Sequence, residues 1–244
     1  MKKNILVTLI LLTIFMLPLS SSKTTEDPGV TPDSFLWGLD KALDQLNLLL
    51  TFNEGEKATK GLEIARERLL EVKAMIEENK LEAAEKGKDA HGKTLVKVKE
   101  SIASLEEDDS IQEIEKIVEI EKELEEHEEE IEQKSGELKI KIEIKGQISQ
   151  EQKDLINSIL SSLENKTGEV EIEIENKKNK TKIKIKQETG KSEEEIEEEI
   201  EEIEEEKGLT AIKKERATEQ IEDAREEIVE AVEEKLSKQE NKFP

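Results

Sequence analysis

The sequence predicts an α+β protein that is mainly α-helical, and three patterns lead to this prediction. Over most of the chain, apolar residues recur at steps of three and four, as they do along one face of an α-helix. Three short stretches instead alternate apolar and charged residues, which is typical of β-strands with one buried face. No proline lies between Pro32 and Pro244, as suits long helices. We therefore expect a three-helix antiparallel bundle, an acidic connecting helix, a small βαββ module and C-terminal acidic helices.

Composition narrows the class of protein. The 244-residue chain has a formal net charge of −24, and 41% of its residues are charged, which leaves apolar material for small cores only. Because so negative a chain repels phosphate backbones, and no patch rich in lysine and arginine interrupts it, we expect no nucleic-acid partner. The chain has no cysteine, which excludes disulfides and lipid-modified cysteines. Stability must therefore come from packing and ion networks.

The N-terminus has the pattern of a secretory signal peptide over residues 1–22. Two lysines precede an apolar run from Ile5 to Leu19, and small residues follow. We expect cleavage after Ser22, so that the mature chain begins near Lys23. This run of fifteen residues is shorter than the roughly 20 that a spanning helix needs, although an uncleaved anchor is the alternative. The pattern predicts a secreted or extracytoplasmic protein of the cell envelope, without a membrane span after cleavage.

A linker over residues 23–31 leads into a predicted helical bundle domain at 32–106. Its first helix has leucines on one face at steps of three and four, which should face the core: Leu36, Leu39, Leu43, Leu46 and Leu50. Trp37, Leu48 and Phe52 fall on the opposite side. Either two neighbouring helices bury these three side chains, or part of this second face stays exposed as an interaction face.

Two further helices complete the predicted bundle, with helix 1 at its centre. The second helix has an apolar stripe of Ala58, Leu62, Ala65, Leu69, Val72 and Ile76. Asn79 and Glu82 form a capping box at the start of the third helix. The stripe of this third helix is Ala84, His91, Leu95, Val98, Ile102 and Leu105. Gly87 and Gly92 should weaken it by about 1 kcal/mol each relative to alanine.

The stretch from Pro32 to Leu105 resembles the domain of unknown function 5667 family. That family's pattern is a proline-initiated leucine-rich helix, a helix of the type LxxAxxRLxE and an alanine-rich helix. The matching residues are Pro32, Leu62, Ala65, Arg68, Leu69 and Glu71. The chain departs from the pattern at His91, where an aromatic residue is expected. The resemblance implies a secreted or envelope-associated helical protein, and it implies no enzymatic activity.

An acidic helix is predicted over residues 107–135. Ser110 and Glu113 form the capping box that opens it, and its apolar side consists of Ile114, Ile117, Leu124 and Ile131. Its glutamates should repel one another unless a basic surface or cations screen them. A solvated helix face is the simpler interpretation.

A βαββ module is predicted over residues 136–189. The three alternating stretches are Glu137–Lys145, Glu169–Glu175 and Lys180–Lys186. Ser149 and Gln152 should cap a helix between the first two. Pairing the last two strands as a hairpin places glutamates opposite lysines on one face and Ile172 opposite Ile183 on the other. A right-handed crossover would make the first two strands parallel.

Coiled-coil-like acidic helices are predicted over residues 190–240. Ser192 and Glu195 open the first, whose stripe is Ile196, Ile200 and Ile203. The second runs from Thr210 to about Lys238, with a narrow seam of Ala217, Ile221, Ala224, Ile228 and Ala231. This seam suits close pairing with another helix, either the other acidic helix or one in a second copy of the chain.

No residue pattern indicates a catalytic, cofactor or metal site. His91 lies on a core stripe, which favours a structural histidine. His127 lies among glutamates, but the Glu-x-x-His pair of carboxylate metal bundles is missing, so chance placement in a glutamate-rich helix explains it. Asn165 and Asn179 begin glycosylation sequons in predicted loops and are possible modification sites.

The sequence therefore favours an exported, non-enzymatic structural or protein-interaction protein. Its partner would be an unknown protein, or a second copy that associates through helices. The alternative is an acidic envelope module that binds calcium or other divalent cations on its glutamate faces. An enzyme that uses clustered carboxylates has no placed pair in its favour, and no cofactor is expected.

Overall fold

The computed structural model describes residues 27–105, 111–145 and 148–207, and the elements in these ranges are all α-helices. They are α1 (Trp37–Leu50), α2 (Glu54–Glu77), α3 (Leu81–Ala103), α4 (Ile111–Lys145), α5 (Gln150–Thr189) and α6 (Glu193–Lys207). The predicted signal peptide, the Ser110 half of a capping box and the predicted helix from Thr210 lie outside the described residues. No helix within these ranges is apolar over a length that would cross a bilayer.

The predicted α+β class and its βαββ module at 136–189 are wrong. Helix α4 continues through the first predicted strand, and α5 contains the other two together with the loop of the predicted hairpin. Ile172 and Ile183, which the hairpin would have paired, are 64% and 57% exposed. The same stretch instead buries one residue at each helical step: Val170, Ile174, Lys177, Thr181 and Ile185.

The physical reason is that strict alternation does not exclude a helix. Glutamate and lysine have high helix propensity, so the stretches over 169–186 extend the helix that Ser149 begins. A helix satisfies its backbone hydrogen bonds internally, whereas a small three-stranded sheet needs a second layer against its apolar face. In this structure α5 packs on α3 and α4. This packing buries the residues at helical spacing and leaves Ile172 and Ile183 exposed.

Helices α2 to α5 form a four-helix bundle made of two antiparallel hairpins. Helix α2 lies beside α3 and α4, and α5 lies beside α3 and α4, so that α3 and α4 face each other across a diagonal. The predicted stripes of α2, α3 and α4 are confirmed, because every residue is buried: Ala58, Leu62, Ala65, Leu69, Val72, Ile76, Ala84, His91, Leu95, Val98, Ile102, Leu105, Ile114, Ile117, Leu124 and Ile131. The fourth position of the bundle belongs to α5 and not to α1.

The first helix therefore does not lie at the centre of the bundle, as the sequence predicts. Helix α1 packs on the outside of α2 through the face that carries Trp37 and Leu48. Its leucine stripe points away from the bundle and is exposed. The prediction that this stripe faces the core is wrong, because α5 occupies the place beside α3 where a third helix would otherwise cover it.

Two of the predicted helix starts are confirmed, and a third has a different geometry. Ser149 and Gln152 form a reciprocal capping box. The hydroxyl of Ser192 accepts from the backbone N–H of Glu195, whose carboxylate accepts from the N–H of Ser192 at 2.8 Å. Asn79 instead adopts a positive φ of 58° before α3 begins at Leu81. Its side-chain oxygen accepts from Gln152 Nε2 at 3.0 Å, which ties the α2–α3 turn to the start of α5.

The acidic helix α6 covers α4 and α5. Ile196 and Ile200 pack with Ile114, Val118 and Ile185 in a small apolar cluster. Lysines of α5 face the glutamates of α6 in three ion pairs: Lys178 with Glu204, Lys182 with Glu197, and Lys186 with Glu193. Lysines that the sequence assigns to the hairpin, Lys178 to its loop and Lys182 and Lys186 to its second strand, thus supply the basic surface that the acidic helix α6 needs.

Gly61 provides a test of how α2 packs against α3. A Cβ at residue 61 would lie 2.5 Å from Val98 Cγ2, closer than atoms can approach. We expect Gly61→Ala to lower the free energy of unfolding by about 1 to 3 kcal/mol, because Val98 or the helix must shift. Gly168 has open space around it, so the control Gly168→Ala should raise the same quantity by about 1 kcal/mol. Urea denaturation followed by circular dichroism checks both, and a stabilised Gly61→Ala would contradict this packing.

Candidate functional site

Helix α1 is attached to α2 by a buried polar group of residues, here called the arginine cluster: Arg68, Glu71, Asp40, Asp44 and Trp37. The Arg68 guanidinium contacts all three carboxylates, and its Nη2 lies 2.8 Å from Asp40 Oδ2. The indole Nε1 of Trp37 donates to Glu71 Oε2 at 2.9 Å. Arg68 and Glu71 are each 1% exposed. The cluster joins the two helices through charge-assisted hydrogen bonds.

Burial sets the electrostatics of this cluster. It raises the pKa of Glu71 to about 8, although Arg68 and the Trp37 N–H act in the opposite direction. Burial also raises the pKa of Asp44. Burial acts to lower the pKa of Arg68, but Glu71 and the two aspartates outweigh it and raise that pKa. Arg68 therefore stays charged, and it is the one cation that Glu71, Asp40 and Asp44 share.

The arginine cluster was not predicted, although the sequence contains a sign of it. Ile64, Arg68, Glu71 and Met75 follow one another at steps of four, three and four, which forms a second stripe on α2 beside the apolar one. Two buried apolar residues flank the charged pair in this stripe. An arginine and a glutamate at such positions must be paired, because an isolated buried charge is too costly.

The outer side of α1 carries an exposed apolar surface, here called the leucine face. It consists of six leucines that are 44–74% exposed, and beyond each end of the helix follows a phenylalanine that is about 90% exposed: Phe35, Leu36, Leu39, Leu43, Leu46, Leu49, Leu50 and Phe52. Of the predicted interaction face, Trp37 and Leu48 are buried against the bundle, and only Phe52 is exposed. Monomeric proteins rarely expose so continuous an apolar surface.

Helix α1 leaves open clefts between itself and α3. One has a volume of about 530 Å³ and is lined in part by Trp37, Leu48 and Lys93. A second, of about 660 Å³, has Leu46, Leu49 and Lys97 in its wall and so continues the leucine face. Helix α1 therefore contacts the bundle along α2 and does not close onto α3.

The two histidines of the chain meet at the centre of the bundle. Their Nε2 atoms lie 2.9 Å apart across the α3–α4 diagonal, and both rings are fully buried. One ring must donate and the other accept, so the pair is neutral. Burial lowers the pKa of His91 to about 4, and it also lowers the pKa of His127. The predicted structural role of His91 agrees with this position, but the interpretation of His127 as a chance placement is wrong.

The predicted apolar stripe of α4 has a gap between Leu124 and Ile131, and this gap could have indicated that His127 is buried. The residue lies three positions after Leu124 and four before Ile131, on the same helix face as both. The pair also separates two apolar clusters, one that contains Leu95 and Leu124 and one that contains Ile131 and Leu163. Because both rings are sealed inside the core, neither can contact a substrate in this fold.

The remaining candidate residues lie in places that the sequence does not predict. Asn165 and Asn179 are exposed, but they lie within α5 and not in loops, so the prediction of loop positions is wrong. Thr167 and Thr181, the threonines of the two sequons, are buried. Modification of the folded chain would therefore have to reach covered hydroxyls. Across the three described ranges, no three His, Asp or Glu side chains converge to hold a metal ion.

The described residues define a helical bundle that carries an amphipathic helix with an exposed apolar face. Residues 29–141 match the model of a protein family described as a domain of unknown function (DUF5667). The resemblance over Pro32 to Leu105 is thereby confirmed, and the match extends from before α1 through most of α4. No curated protein and no solved structure matches the chain. Arg68 and Glu71 of the LxxAxxRLxE pattern are the pair that anchors α1.

Proposed function

We propose that this chain is an exported, non-enzymatic protein-interaction protein of the cell envelope or exterior. The leucine face of α1 is the observation that supports this proposal. Burial of exposed leucine and phenylalanine side chains is the main driving force for association in water. A protein that uses this face for binding keeps it accessible while the opposite face of the same helix is anchored.

The anchoring of α1 supports the same function. Arg68 bonds to Asp40 and Asp44 of α1, and Trp37 packs against α2 and donates to Glu71. The leucine face is therefore presented on a helix that is held by charge-assisted hydrogen bonds. A preorganised surface costs less conformational entropy on binding than a segment that must fold.

Export is the second part of the proposal. It rests on two features of the sequence. One is the predicted signal peptide at residues 1–22, and the other is the family resemblance, which implies a secreted or envelope-associated protein. A non-enzymatic role is consistent with the sealed histidine pair and with carboxylates that are committed to Arg68. Cation binding by the glutamate faces stays a prediction.

Photocrosslinking in the native host tests this function. A benzophenone amino acid in place of Leu39 should form a covalent adduct with a protein, because the leucine face is occupied in the cell. The control places the same amino acid at Ile172, which is equally exposed on α5, and it should form no such adduct. The intact mass of the recovered chain should show a start near Lys23.

Two results would contradict the proposal. If Leu39 and Ile172 give the same adducts, the leucine face has no special partner. If the chain is recovered only from the cytoplasm at full length, the export half of the proposal is wrong.

A further inference from the structure

The leucines of the leucine face have the spacing of a helix that pairs with an identical helix. Leu36, Leu39, Leu43, Leu46 and Leu50 follow at steps of three, four, three and four, which are the a and d positions of two heptads. All five are about half exposed. Side chains at this spacing interlock with an identical set on a second helix. The face is thus complementary to itself.

The residues beside this seam also permit two copies to meet. On one side the heptad places Ala42 and Leu49, and on the other Asp40 and Asn47. Asp40 is the one charged residue among the four, and Arg68 binds it. Like charges would therefore not be brought together along the seam, in contrast to the glutamate-rich faces of α4 and α6.

The wider charge distribution favours the same approach. Residues 27–105, which contain α1 and its surroundings, carry twelve basic and fifteen acidic residues. The whole chain has 38 basic and 62 acidic residues. Most of the negative charge therefore lies outside this segment, and α1 packs on α2 whereas the acidic α6 packs on α4 and α5. Contact through α1 keeps the acidic parts of two copies apart.

A lipid surface fits the leucine face less well than a second copy does. Helices that lie on membranes carry lysine and arginine beside their apolar face, which attract anionic headgroups. Helix α1 has a single basic residue, Lys41, whose ammonium lies 3.5 Å from the centre of the Trp37 ring on the packed side. The net charge of −24 would repel anionic lipid as well.

The face is comparable in size to one partner's share of a standard interface. Each of the terminal phenylalanines offers about 150–250 Å², and it stands almost fully exposed. Together with six half-exposed leucines, the face reaches several hundred Å², while a standard interface buries about 800 Å² on each partner. The adjoining cleft with Leu46 and Leu49 in its wall adds surface that a second helix can enter.

We propose that two copies of this chain associate through their α1 helices, with the leucine faces forming a two-fold symmetric helix pair. This inference rests on the proposed interaction function and names the partner. The proposal predicts that apolar contact drives association and that the net negative charge of the two copies opposes it.

Sedimentation of the full chain is the first test. The wild type should form a dimer, and a Leu39→Glu/Leu43→Glu variant should raise the dissociation constant by at least about a hundredfold, since charges would enter the seam. The matched control Ile172→Glu/Ile183→Glu changes two exposed isoleucines of α5 and should leave the dissociation constant unchanged. Raising the ionic strength from about 0.1 M to about 1 M should tighten the dimer, because the Debye length falls from roughly 10 to 3 Å.

Cysteine crosslinking locates the interface. The chain has no cysteine of its own, so Leu43→Cys introduces a single thiol near the middle of the face. Mild oxidation should give a disulfide-linked dimer of Leu43→Cys, whereas Ile172→Cys should stay monomeric on the same time scale.

Several outcomes would overturn self-association. One is a wild type that stays monomeric at all concentrations and salt levels, with no disulfide at Leu43→Cys. Another is a monomer that binds phosphatidylcholine vesicles through Leu39 and Leu43, which would assign the face to lipid. Crosslinking from Leu39 to a different protein would also reject self-association while leaving the proposed interaction function in place. Adducts from Leu39 that match those from Ile172 would reject both.

Discussion

Replacing Arg68 with methionine is expected to lower the free energy of unfolding by roughly 3 to 5 kcal/mol at pH 8. Methionine fills much of the same volume, but it leaves the carboxylate of Glu71, which is 1% exposed, without its cation. All three carboxylates lose a charge-assisted hydrogen bond, and Glu71 loses its bond at a place where water cannot replace the guanidinium, whether it is ionised or protonated. Urea denaturation measures the change. The fluorescence of Trp37, the single tryptophan of the chain, reports whether α1 stays docked.

The pH dependence of this variant is a second signature. The folded pKa of Glu71 lies near 8, above the usual value of 4.5, so the folded state holds a proton that the unfolded state releases over this interval. Stability from this group is therefore present at low pH and lost as pH rises towards 8. Without Arg68 the carboxylate is still harder to ionise. Glu71 is therefore protonated in the folded state of both proteins below pH 8, so the cost of Arg68→Met should stay nearly constant from pH 5 to pH 7 and grow as pH rises above 8.

Arg66→Met is the matched control for Arg68→Met. Arg66 lies on the same helix and pairs with Glu123, Glu126 and Glu130, all of which are partly exposed. Its removal leaves these carboxylates in contact with water, so we expect a loss of about 1 kcal/mol or less. Equal losses for the two variants would mean that the buried cluster contributes no more than an ion network at the surface.

Acidification is expected to destabilise the bundle through the histidine pair. The unfolded chain takes up protons on both imidazoles below pH 6.5, whereas the folded pKa of His91 is about 4. The folded state therefore loses stability progressively as pH falls from 6.5 towards 4. For His91 alone the loss over this window is about 3 kcal/mol, and the lowered pKa of His127 acts in the same direction.

A double variant isolates this effect from other titrating groups. Replacing both histidines with leucine, in His91→Leu/His127→Leu, removes the titration and replaces a buried polar pair with apolar side chains, which is often neutral or stabilising at pH 7. The difference in unfolding free energy between wild type and double variant should grow as pH falls from 6.5 to 4.5. Glu71 titrates in both proteins with the opposite sign, so it cancels in the difference. A difference that stays constant over this range would show that the histidines are not buried as a neutral pair.

These two polar groups have different relations to the proposed function. The arginine cluster holds α1, so its loss should reduce association through the leucine face as well as stability. The histidine pair lies inside the bundle, away from α1, so its replacement should leave association unchanged at pH 7. Comparing dimer dissociation constants of Arg68→Met and of the histidine double variant separates anchoring from general stability.

The buried apolar stripes of the helices were predictable, because residues at steps of three and four share one helix face whatever the rest of the chain does. The buried residues of α2, α3 and the first part of α4 lie where their spacing places them, and Ser149 and Ser192 begin helices as capping boxes predict. Charge composition was equally informative. The lysines near 180 and the glutamates near 200 balance one another, though across two helices and not across a hairpin.

The secondary structure of the alternating stretches was not predictable. A period of two in Ile, Glu and Lys is compatible with both a β-strand and an α-helix. Along α5 the alternation also contains residues at helical spacing, from Val170 to Ile185, and their neighbours in α3 and α4 bury those positions. Only the packing of these helices decides between the two sets of buried residues. Local propensity for helix in glutamate and lysine then agrees with the packed state.

The sequence by itself determined the amphipathic character of α1, its two apolar faces and the acidic balance of the whole chain. Tertiary structure alone decided which face of α1 is buried. The leucine stripe is the longer one, but Trp37 and Leu48 pack on α2 because Arg68 and Glu71 supply partners for Trp37, Asp40 and Asp44 on that side. A helix is oriented by the groups that its neighbours can satisfy, and the spacing along α2 marks Arg68 and Glu71 as buried without showing which distant residues they pair with. For the same reason, only the fold brings His91 and His127 together across the bundle.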